Sequence, residues 1–288
     1  MKLQVGIIGN SIKHSLSPII QNLALKTHNI NANYEIWDTP IPELKNRIDL
    51  LKQDNVLGAN VTIPYKEQVI PWLDSFSDEV KTIGAVNTII NRKGQLHGEN
   101  TDSRGFIKDL TDRHNISITN KNILVLGAAG SSKAIIYGLL KNNCQSITII
   151  NRTQEKAEDI VNKFSHLGNI KTLSSKFDQP KDLSNFDIII NCTSFGMKHS
   201  ELEGQLPIPQ NLVKQCRIFY DLVYNPPITP ILLEIQKYGG IGINGIGMLI
   251  EQAGLSFKLW TGLEPPIDSM YSVLSKNCLL YTSDAADE

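Results

Sequence analysis

Short apolar runs alternate with helical stretches along this chain, and that alternation limits the folds it can adopt. Val5–Ile8, Asn33–Trp37 and Gly58–Ile63 are predicted strands, with helices over Pro18–Thr27 and Leu44–Leu51 between them. Strands joined through helices pair mainly in parallel, and the helices cover both faces of the sheet. The sequence therefore predicts the α/β fold class.

A second series of the same kind begins near Asn122 and predicts a second domain. Its strands and helices are expected at Ile123–Leu126, Ser131–Leu140, Ile147–Ile150, Gln154–Phe164, Ile188–Ile190 and Ile218–Tyr220. A chain of 288 residues is also long for a single hydrophobic core. We expect one domain over residues 1–103, completed by C-terminal helices at about 247–277, and a second domain over residues 104–246.

Composition and charge argue against several classes of protein. A formal net charge of -1 provides no general attraction to nucleic acid or to anionic membranes. The four cysteines stand far apart, without a CxxC pair or histidines at metal-ligand spacing, so no structural metal and no disulfide framework is expected. No apolar run approaches about 18 residues, and no signal-peptide pattern is present. These features predict a cytoplasmic protein.

The last eleven letters, CLLYTSDAADE over residues 278–288, differ in character from the rest of the chain. They predict neither helix nor strand and match one translated frame of a transposase sequencing adapter. We interpret them as a non-native tail, with an ordinary frayed terminus as the alternative.

A glycine-rich turn follows the predicted strand NILVL and opens a helix. It comprises Gly127, Ala128, Ala129, Gly130 and Ser131. Such a turn lets backbone N–H groups and the helix N-terminus face a pyrophosphate, although a plain tight turn has the same letters. Its place between strand and helix favours a dinucleotide site.

The next predicted strand ends at Asn151, Arg152 and Thr153, with Lys156 one helical turn further on. Sites for NAD usually carry Asp or Glu there, which holds the ribose 2′-hydroxyl. An arginine can instead bind a 2′-phosphate through two hydrogen bonds. The segment therefore favours NADP, with an exposed helix start as the alternative. Thr193 and Ser194 follow a later strand, where they face the same ligand or form an ordinary turn.

Four polar clusters follow strands of the first predicted domain: HSLSP, NVTIPYK, GAVNT and GENTD, at residues 14–18, 60–66, 84–88 and 98–102. Their hydroxyl, amide, lysine and aspartate groups suit a polyhydroxylated acid. Each has a local alternative, because Ser17 can cap a helix, Asn87 can close a turn and Lys66 can be a solvated helix residue.

Taken together, HSLSP, NVTIPYK, GAVNT, NTDSRG, GAAGSSKA, NRT, YNP and GIGMLIEQA occur in the order found in shikimate dehydrogenases. The chain resembles that family from about Leu3 to Ser275. The resemblance implies a mostly parallel substrate domain, a Rossmann-like NADP-binding domain and an active cleft between them. It also implies reversible, NADPH-dependent reduction of 3-dehydroshikimate to shikimate, in the pathway to chorismate and the aromatic amino acids.

The resemblance assigns roles to individual residues. Lys66 and Asp102 match the catalytic pair, and Ser15 and Ser17 match the residues that hold the substrate carboxylate. The further substrate positions are Asn60, Thr62, Asn87, Tyr224 and Gln252. The cofactor positions are Asp78, Gly127, Ala128, Ala129, Gly130, Ser131, Asn151, Arg152, Thr153, Lys156, Thr193, Ser194, Leu222, Gly245 and Met248. No metal is implied.

One departure from the family pattern bears on the cofactor. Ala129 replaces a family glycine, and a Cβ at that position costs roughly 1–2 kcal/mol if the backbone needs a positive φ. Three other functions are considered beside the family's: an NAD-using quinate/shikimate dehydrogenase, a non-catalytic ligand sensor of the same fold, and a pseudoenzyme disabled by Ala129 or by the tail. The protein is expected to act as a monomer or homodimer on a small molecule.

Overall fold

The computed structural model describes residues 2–173 and 182–283, with side chains described as far as Ser275. The chain divides into two compact units, Met1–Gly105 with Leu249–Glu288 and Phe106–Met248. The predicted divisions, after residues 103 and 246, lie two residues before those of the structure, after residues 105 and 248.

The strands and helices are as follows. The strands are β1 (Leu3–Gly9), β2 (Ala32–Asp38), β3 (Val56–Val61), β4 (Ser75–Phe76), β5 (Thr88–Arg92), β6 (Gln95–Glu99), β7 (Asn122–Leu126), β8 (Ser146–Ile150), β9 (Ile170–Thr172), β10 (Ile188–Asn191), β11 (Ile218–Asp221) and β12 (Ile241–Ile243). The α-helices are α1 (Ser17–Thr27), α2 (Leu44–Leu50), α3 (Asp78–Ile83), α4 (Asp102–Lys108), α5 (Gly130–Lys141), α6 (Gln154–Phe164), α7 (Pro230–Lys237), α8 (Ile246–Thr261) and α9 (Ile267–Ser283).

The sheet of the first unit has the order β2-β1-β3-β5-β6-β4. β1 is parallel to β2 and β3, and β4 is parallel to β6, whereas β5 runs antiparallel to both of its neighbours. β5 and β6 form a hairpin through Lys93 and Gly94, whose φ angles are 55° and 84°. Two central residues of positive φ are what a tight hairpin requires. The predicted α/β class is confirmed, with one reversed strand.

The sheet of the second unit has the order β12-β11-β10-β7-β8-β9, and all of its pairings are parallel. Its central strands are apolar on both faces. In β7, Ile123 and Val125 belong to one hydrophobic cluster, whereas Leu124 and Leu126 belong to another. Because parallel strands end at the same edge, the loops after β7, β8, β10 and β11 are brought together there.

One prediction about the C-terminus is wrong in part. Helix α9 continues to Ser283, so the segment 278–283 is helical although no regular structure was expected for it. Residues 284–288 lie outside the described residues. The origin of the segment 278–288 stays a prediction.

Candidate active site

A buried ion pair forms the centre of the polar site in the first unit. Lys66 lies in the turn after β3, and Asp102 is the first residue of α4. Lys66 Nζ donates to Asp102 Oδ2 at 2.5 Å, and the two side chains are only 11% and 6% exposed. A buried ion pair is stable only if further hydrogen bonds satisfy its charges. Asn87 Nδ2 provides one of these by donating to Asp102 Oδ1 at 2.7 Å.

Asn87 also forms hydrogen bonds with the residue before Asp102 and with helix α8. Its Nδ2 also lies within donor range of Thr101 Oγ1 at 2.8 Å and Gln252 Oε1 at 3.3 Å. Its Oδ1 accepts from the Thr101 backbone N–H at 2.8 Å. The alternative that Asn87 only closes a turn therefore does not describe these contacts. Lysine, aspartate, amide and hydroxyl groups gather at one place, although they come from distant parts of the chain.

Asn60 lies next to Asn87, and both its side-chain amide oxygen and its side-chain amide nitrogen form hydrogen bonds within the protein. Its Oδ1 accepts from the Tyr34 hydroxyl at 2.8 Å, and its Nδ2 donates to Asn87 O at 3.1 Å and Ser256 Oγ at 3.0 Å. The residue is 5% exposed. These contacts indicate that Asn60 holds Asn87 in place. Ser256, on α8, was not singled out in the sequence because nothing there links it to residues so far away.

The two serines expected at the carboxylate position lie at the start of α1. Ser17 is the first residue of the helix and is buried, while Leu16 occupies the N-cap position without any side-chain cap bond. The alternative that Ser17 serves only as a helix cap is therefore wrong. Ser15 Oγ accepts from the Ser17 backbone N–H at 3.3 Å. Thr62 is half-buried and directly follows β3.

The glycine-rich turn connects β7 to α5 in the second unit. Gly127 has φ 105°, and a Cβ there would lie 3.0 Å from Thr193 Cγ2 and 3.2 Å from the Cys192 carbonyl oxygen. Helix α5 begins at Gly130. Ser132 closes the turn, because its hydroxyl accepts from Ala129 N at 2.7 Å and donates to Ala129 O at 2.6 Å. A glycine turn that leads from a strand directly into a helix N-terminus fits the pyrophosphate of a dinucleotide.

Ala129 does not strain the turn. Its φ and ψ are -117° and -175°, which is extended backbone open to any residue, and its side chain is exposed. The expected cost of a Cβ at a positive φ therefore does not arise.

We predict that Ala129→Gly leaves the Kd for NADP within about twofold of the original value, because no strain is relieved. The extra freedom of glycine in the unfolded chain should lower the free energy of unfolding by about 0.4–1 kcal/mol. Calorimetric titration and urea unfolding measure the two quantities. A markedly tighter Kd for the glycine variant would show that Ala129 does impair the turn.

The end of β8 carries the residues expected to distinguish NADP from NAD. Arg152, Thr153 and Lys156 are exposed, and Asn151 Nδ2 donates to Thr153 O at 2.8 Å. No acidic residue occupies positions 151–153. A cationic, acid-free strand end fits a 2′-phosphate better than it fits a bare ribose hydroxyl.

The loops after β10 and β11 are joined through buried polar groups. Asn191 Oδ1 accepts from Thr193 N at 3.0 Å and from Thr193 Oγ1 at 2.5 Å. Asn191 Nδ2 donates to Asp221 Oδ1 at 2.9 Å. Further along, burial raises the pKa of the Tyr224 phenol. Met248, the last residue of this unit, is buried.

Asp78 stands apart from the other expected cofactor residues, since it belongs to the first unit. It is an exposed residue in the first turn of α3, after the N-cap Ser77, whose hydroxyl accepts from Val80 N at 3.3 Å. A carboxylate there interacts favourably with the helix N-terminus, which provides a local reason for its presence.

Within the part of the chain that the structure describes, no group of three or more His, Cys, Asp and Glu side chains could hold a metal ion. Cys144 and Cys216 are free thiols, and burial raises their pKa values to about 11 and about 12. Among the described helices, none is long and apolar enough to cross a membrane.

Two features together indicate the class of protein. A parallel sheet with a glycine-rich turn into a helix is the arrangement that binds dinucleotides. A buried lysine beside a carboxylate is suited to moving a proton at a carbonyl or alcohol. Together they define a nicotinamide-dependent oxidoreductase.

The particular family follows from comparison with known proteins. Residues 7–89 match "Shikimate dehydrogenase substrate binding domain", residues 109–224 match "Shikimate / quinate 5-dehydrogenase", and residues 245–274 match "Shikimate 5'-dehydrogenase C-terminal domain". The chain is 39% identical over 274 residues to the shikimate dehydrogenase (NADP(+)) of Carboxydothermus hydrogenoformans, covering 95% of this chain and 96% of that one. The chain belongs to the shikimate dehydrogenase family.

Solved structures agree with this family. The shikimate 5-dehydrogenase of Thermus thermophilus in complex with NADP(H) and shikimate superposes with a TM-score of 0.84 at 30% identity, covering 95% of this chain and 99% of that one. The shikimate 5-dehydrogenase of Listeria monocytogenes in complex with shikimate and NAD has a TM-score of 0.85 at 29% identity, covering 95% and 96%.

Proposed function

We propose that this protein is an NADP-dependent shikimate dehydrogenase, which reversibly reduces 3-dehydroshikimate to shikimate in the pathway to chorismate and the aromatic amino acids. The observation that carries the proposal is the buried Lys66–Asp102 pair, held by Asn87, in a chain of this family. The first unit is proposed to bind the substrate and the second to bind NADP.

Lys66 is the proposed acid–base group. The bound cofactor supplies or accepts the hydride at the substrate carbon that carries the oxygen. In the reductive direction Lys66 Nζ donates a proton to the developing alkoxide, and in the oxidative direction it removes that proton. Such a positioned group contributes about 10²–10⁴-fold to the rate. Asp102 orients the ammonium through its 2.5 Å contact and accepts a hydrogen bond from a substrate hydroxyl.

The remaining substrate contacts follow from the chemistry of the side chains. The hydroxyls of Ser15 and Ser17 are proposed to donate to the substrate carboxylate. The ring hydroxyls are assigned to Thr62, Asn87 and Gln252, all of the first unit, whereas Tyr224 of the second unit stays a prediction of the resemblance. Asn60 contributes indirectly, because its contacts with Tyr34, Ser256 and the Asn87 carbonyl hold Asn87 from behind.

The second unit contains the groups that fit NADP. The turn 127–131 and the start of α5 would hold the pyrophosphate. Gly127 allows the turn to pack against Thr193 and Cys192, which a Cβ would meet at 3.0–3.2 Å. Arg152 would bind the 2′-phosphate, with Lys156 nearby on α6, and Thr193, Ser194, Leu222, Gly245 and Met248 complete the set. We further propose a cytoplasmic monomer or homodimer that requires no metal, nucleic acid or membrane.

The test is an assay of the purified protein with shikimate and either NADP or NAD, followed by the absorbance of the reduced cofactor. We expect oxidation of shikimate with NADP and a clearly lower kcat/KM with NAD. A preference for NAD would support the quinate/shikimate alternative, with quinate as the second substrate to test. Binding of shikimate without turnover of either cofactor would instead identify a ligand sensor or a pseudoenzyme.

A further inference from the structure

Asp221 is a wholly buried carboxyl group at the end of β11 to which none of the roles above assigns a task. Its Oδ1 accepts from Asn191 Nδ2 at 2.9 Å and from Val223 N at 3.1 Å, and its Oδ2 accepts from Thr229 Oγ1 at 2.7 Å. The donors come from the end of β10 and from the loop after β11. One side chain thus holds together the backbone that follows two neighbouring strands.

The first of these loops reaches the glycine-rich turn. Asn191 has its nitrogen bonded to Asp221 and its oxygen bonded to the N–H and hydroxyl of Thr193. Thr193 Cγ2 lies 3.0 Å from the place where a Cβ on Gly127 would stand. The position of Thr193 against the turn is therefore set by Asn191, whose amide orientation is in turn set by Asp221.

The second loop reaches another expected cofactor position. Asp221 anchors the N–H of Val223, and the carbonyl of Val223 accepts from Gly245 N at 3.1 Å. The carbonyl oxygen of Leu222 lies so close to Gly245 that a Cβ there would be 2.1 Å from it. Leu222 and Gly245 thus approach each other backbone to backbone, beside the residue that Asp221 anchors.

We propose that Asp221 is a positioning residue for the cofactor site, which fixes the loops after β10 and β11 against Gly127 and Gly245. This inference rests on the proposed function, because it assumes that these loops contact NADP. Burial raises the pKa of Asp221, whereas the hydrogen bonds from Thr229, Val223 and Asn191 counteract that rise. Asn191 Nδ2 and Val223 N can only donate, so Oδ1 must be an acceptor, whereas the Thr229 hydroxyl at Oδ2 can donate or accept.

The test is the Kd for NADP of Asp221→Ala, measured by calorimetric titration. The alanine removes the acceptor of Asn191 Nδ2 and Val223 N, so both loops should lose their anchor. We expect the Kd to rise about tenfold or more. Asp221→Asn should keep a large part of the affinity, because its carbonyl oxygen can take the place of Oδ1 and its NH₂ group can donate to the Thr229 hydroxyl.

The matched control is Asp187→Ala, at the end of the same sheet where the parallel strands begin. Asp187 directly precedes β10, and its Oδ2 accepts from Asn122 N at 2.9 Å. This variant should leave the Kd for NADP within about twofold of the original value. An unchanged Kd in folded Asp221→Ala, or equal losses in both alanine variants, would overturn the proposal.

A second variant keeps the test decisive if Asp221→Ala does not fold. Thr229→Val removes only the donor to Oδ2, and we expect it to raise the Kd for NADP about threefold. An unchanged Kd for this variant would then overturn the proposal. The original protein is measured in parallel. If it binds NADP but does not oxidise shikimate, the proposed function fails while the positioning role of Asp221 can still be judged from binding alone.

Discussion

Replacing Lys66 with alanine is expected to lower kcat for shikimate oxidation by at least about 10²-fold, with little change in KM for shikimate. The reason is that Lys66 is proposed to exchange the proton of the reacting oxygen, a task that matters in the transition state and little in binding. Asp102 keeps its hydrogen bond from Asn87 at 2.7 Å, so part of the site should remain ordered. Steady-state kinetics with saturating NADP measure both parameters.

Two further variants separate the chemistry from the loss of a buried charge. Lys66→Arg keeps a cation beside Asp102, but an arginine does not release its proton at neutral pH, so kcat should stay low while thermal stability is largely kept. Lys52→Ala removes a half-exposed lysine 3.3 Å from Asp74 and should not affect turnover. A kcat for Lys66→Ala close to that of Lys52→Ala would remove Lys66 from the chemistry.

The fold was most predictable where strands are buried on both faces. The predicted strands Ile123–Leu126 and Ile147–Ile150 each begin one residue inside β7 and β8, because central parallel strands are continuous apolar runs. The β5–β6 hairpin was not predicted. Its turn, Lys93-Gly94, lacks the Asn-Gly or Asp-Gly signal, and the partly exposed β6 has a mixed sequence, QLHGE. That hairpin accounts for the reversed strand in an otherwise parallel sheet.

The site was predictable as a set of residue types and less so as a set of contacts. Lys66 and Asp102 were paired through a family resemblance, since 36 positions separate them and no local pattern links them. Asn60 was expected to meet the substrate, whereas its amide faces Tyr34 and Ser256. Likewise, letters alone do not reveal a φ angle, so the extended conformation of Ala129 became evident only from the backbone.

Replacing Arg152 with alanine is expected to weaken the binding of NADPH by about tenfold or more while changing the KM for NADH by less than about threefold. A charge-assisted hydrogen bond contributes roughly 1.5–3 kcal/mol, and only NADPH carries the 2′-phosphate that accepts it. Lys156 is exposed on the first turns of α6, so Lys156→Ala should produce a smaller loss of the same kind.

The control for Arg152 is Arg217→Ala. Arg217 is also exposed, but it directly precedes β11 and so lies at the end of the sheet where the parallel strands begin, whereas Arg152 lies where they end. Arg217→Ala removes the same charge from the second unit, so it shows how much of the effect is a general loss of electrostatic attraction. Such an attraction is long-ranged and should decline equally for both arginines as salt is added, whereas a direct contact is specific to Arg152.

Measuring kcat/KM for NADPH and NADH at low and moderate salt distinguishes the general electrostatic attraction from the direct contact. Equal losses for the two cofactors in Arg152→Ala would show that Arg152 does not bind the 2′-phosphate, and the preference for NADP would then have to come from other residues near the end of β8.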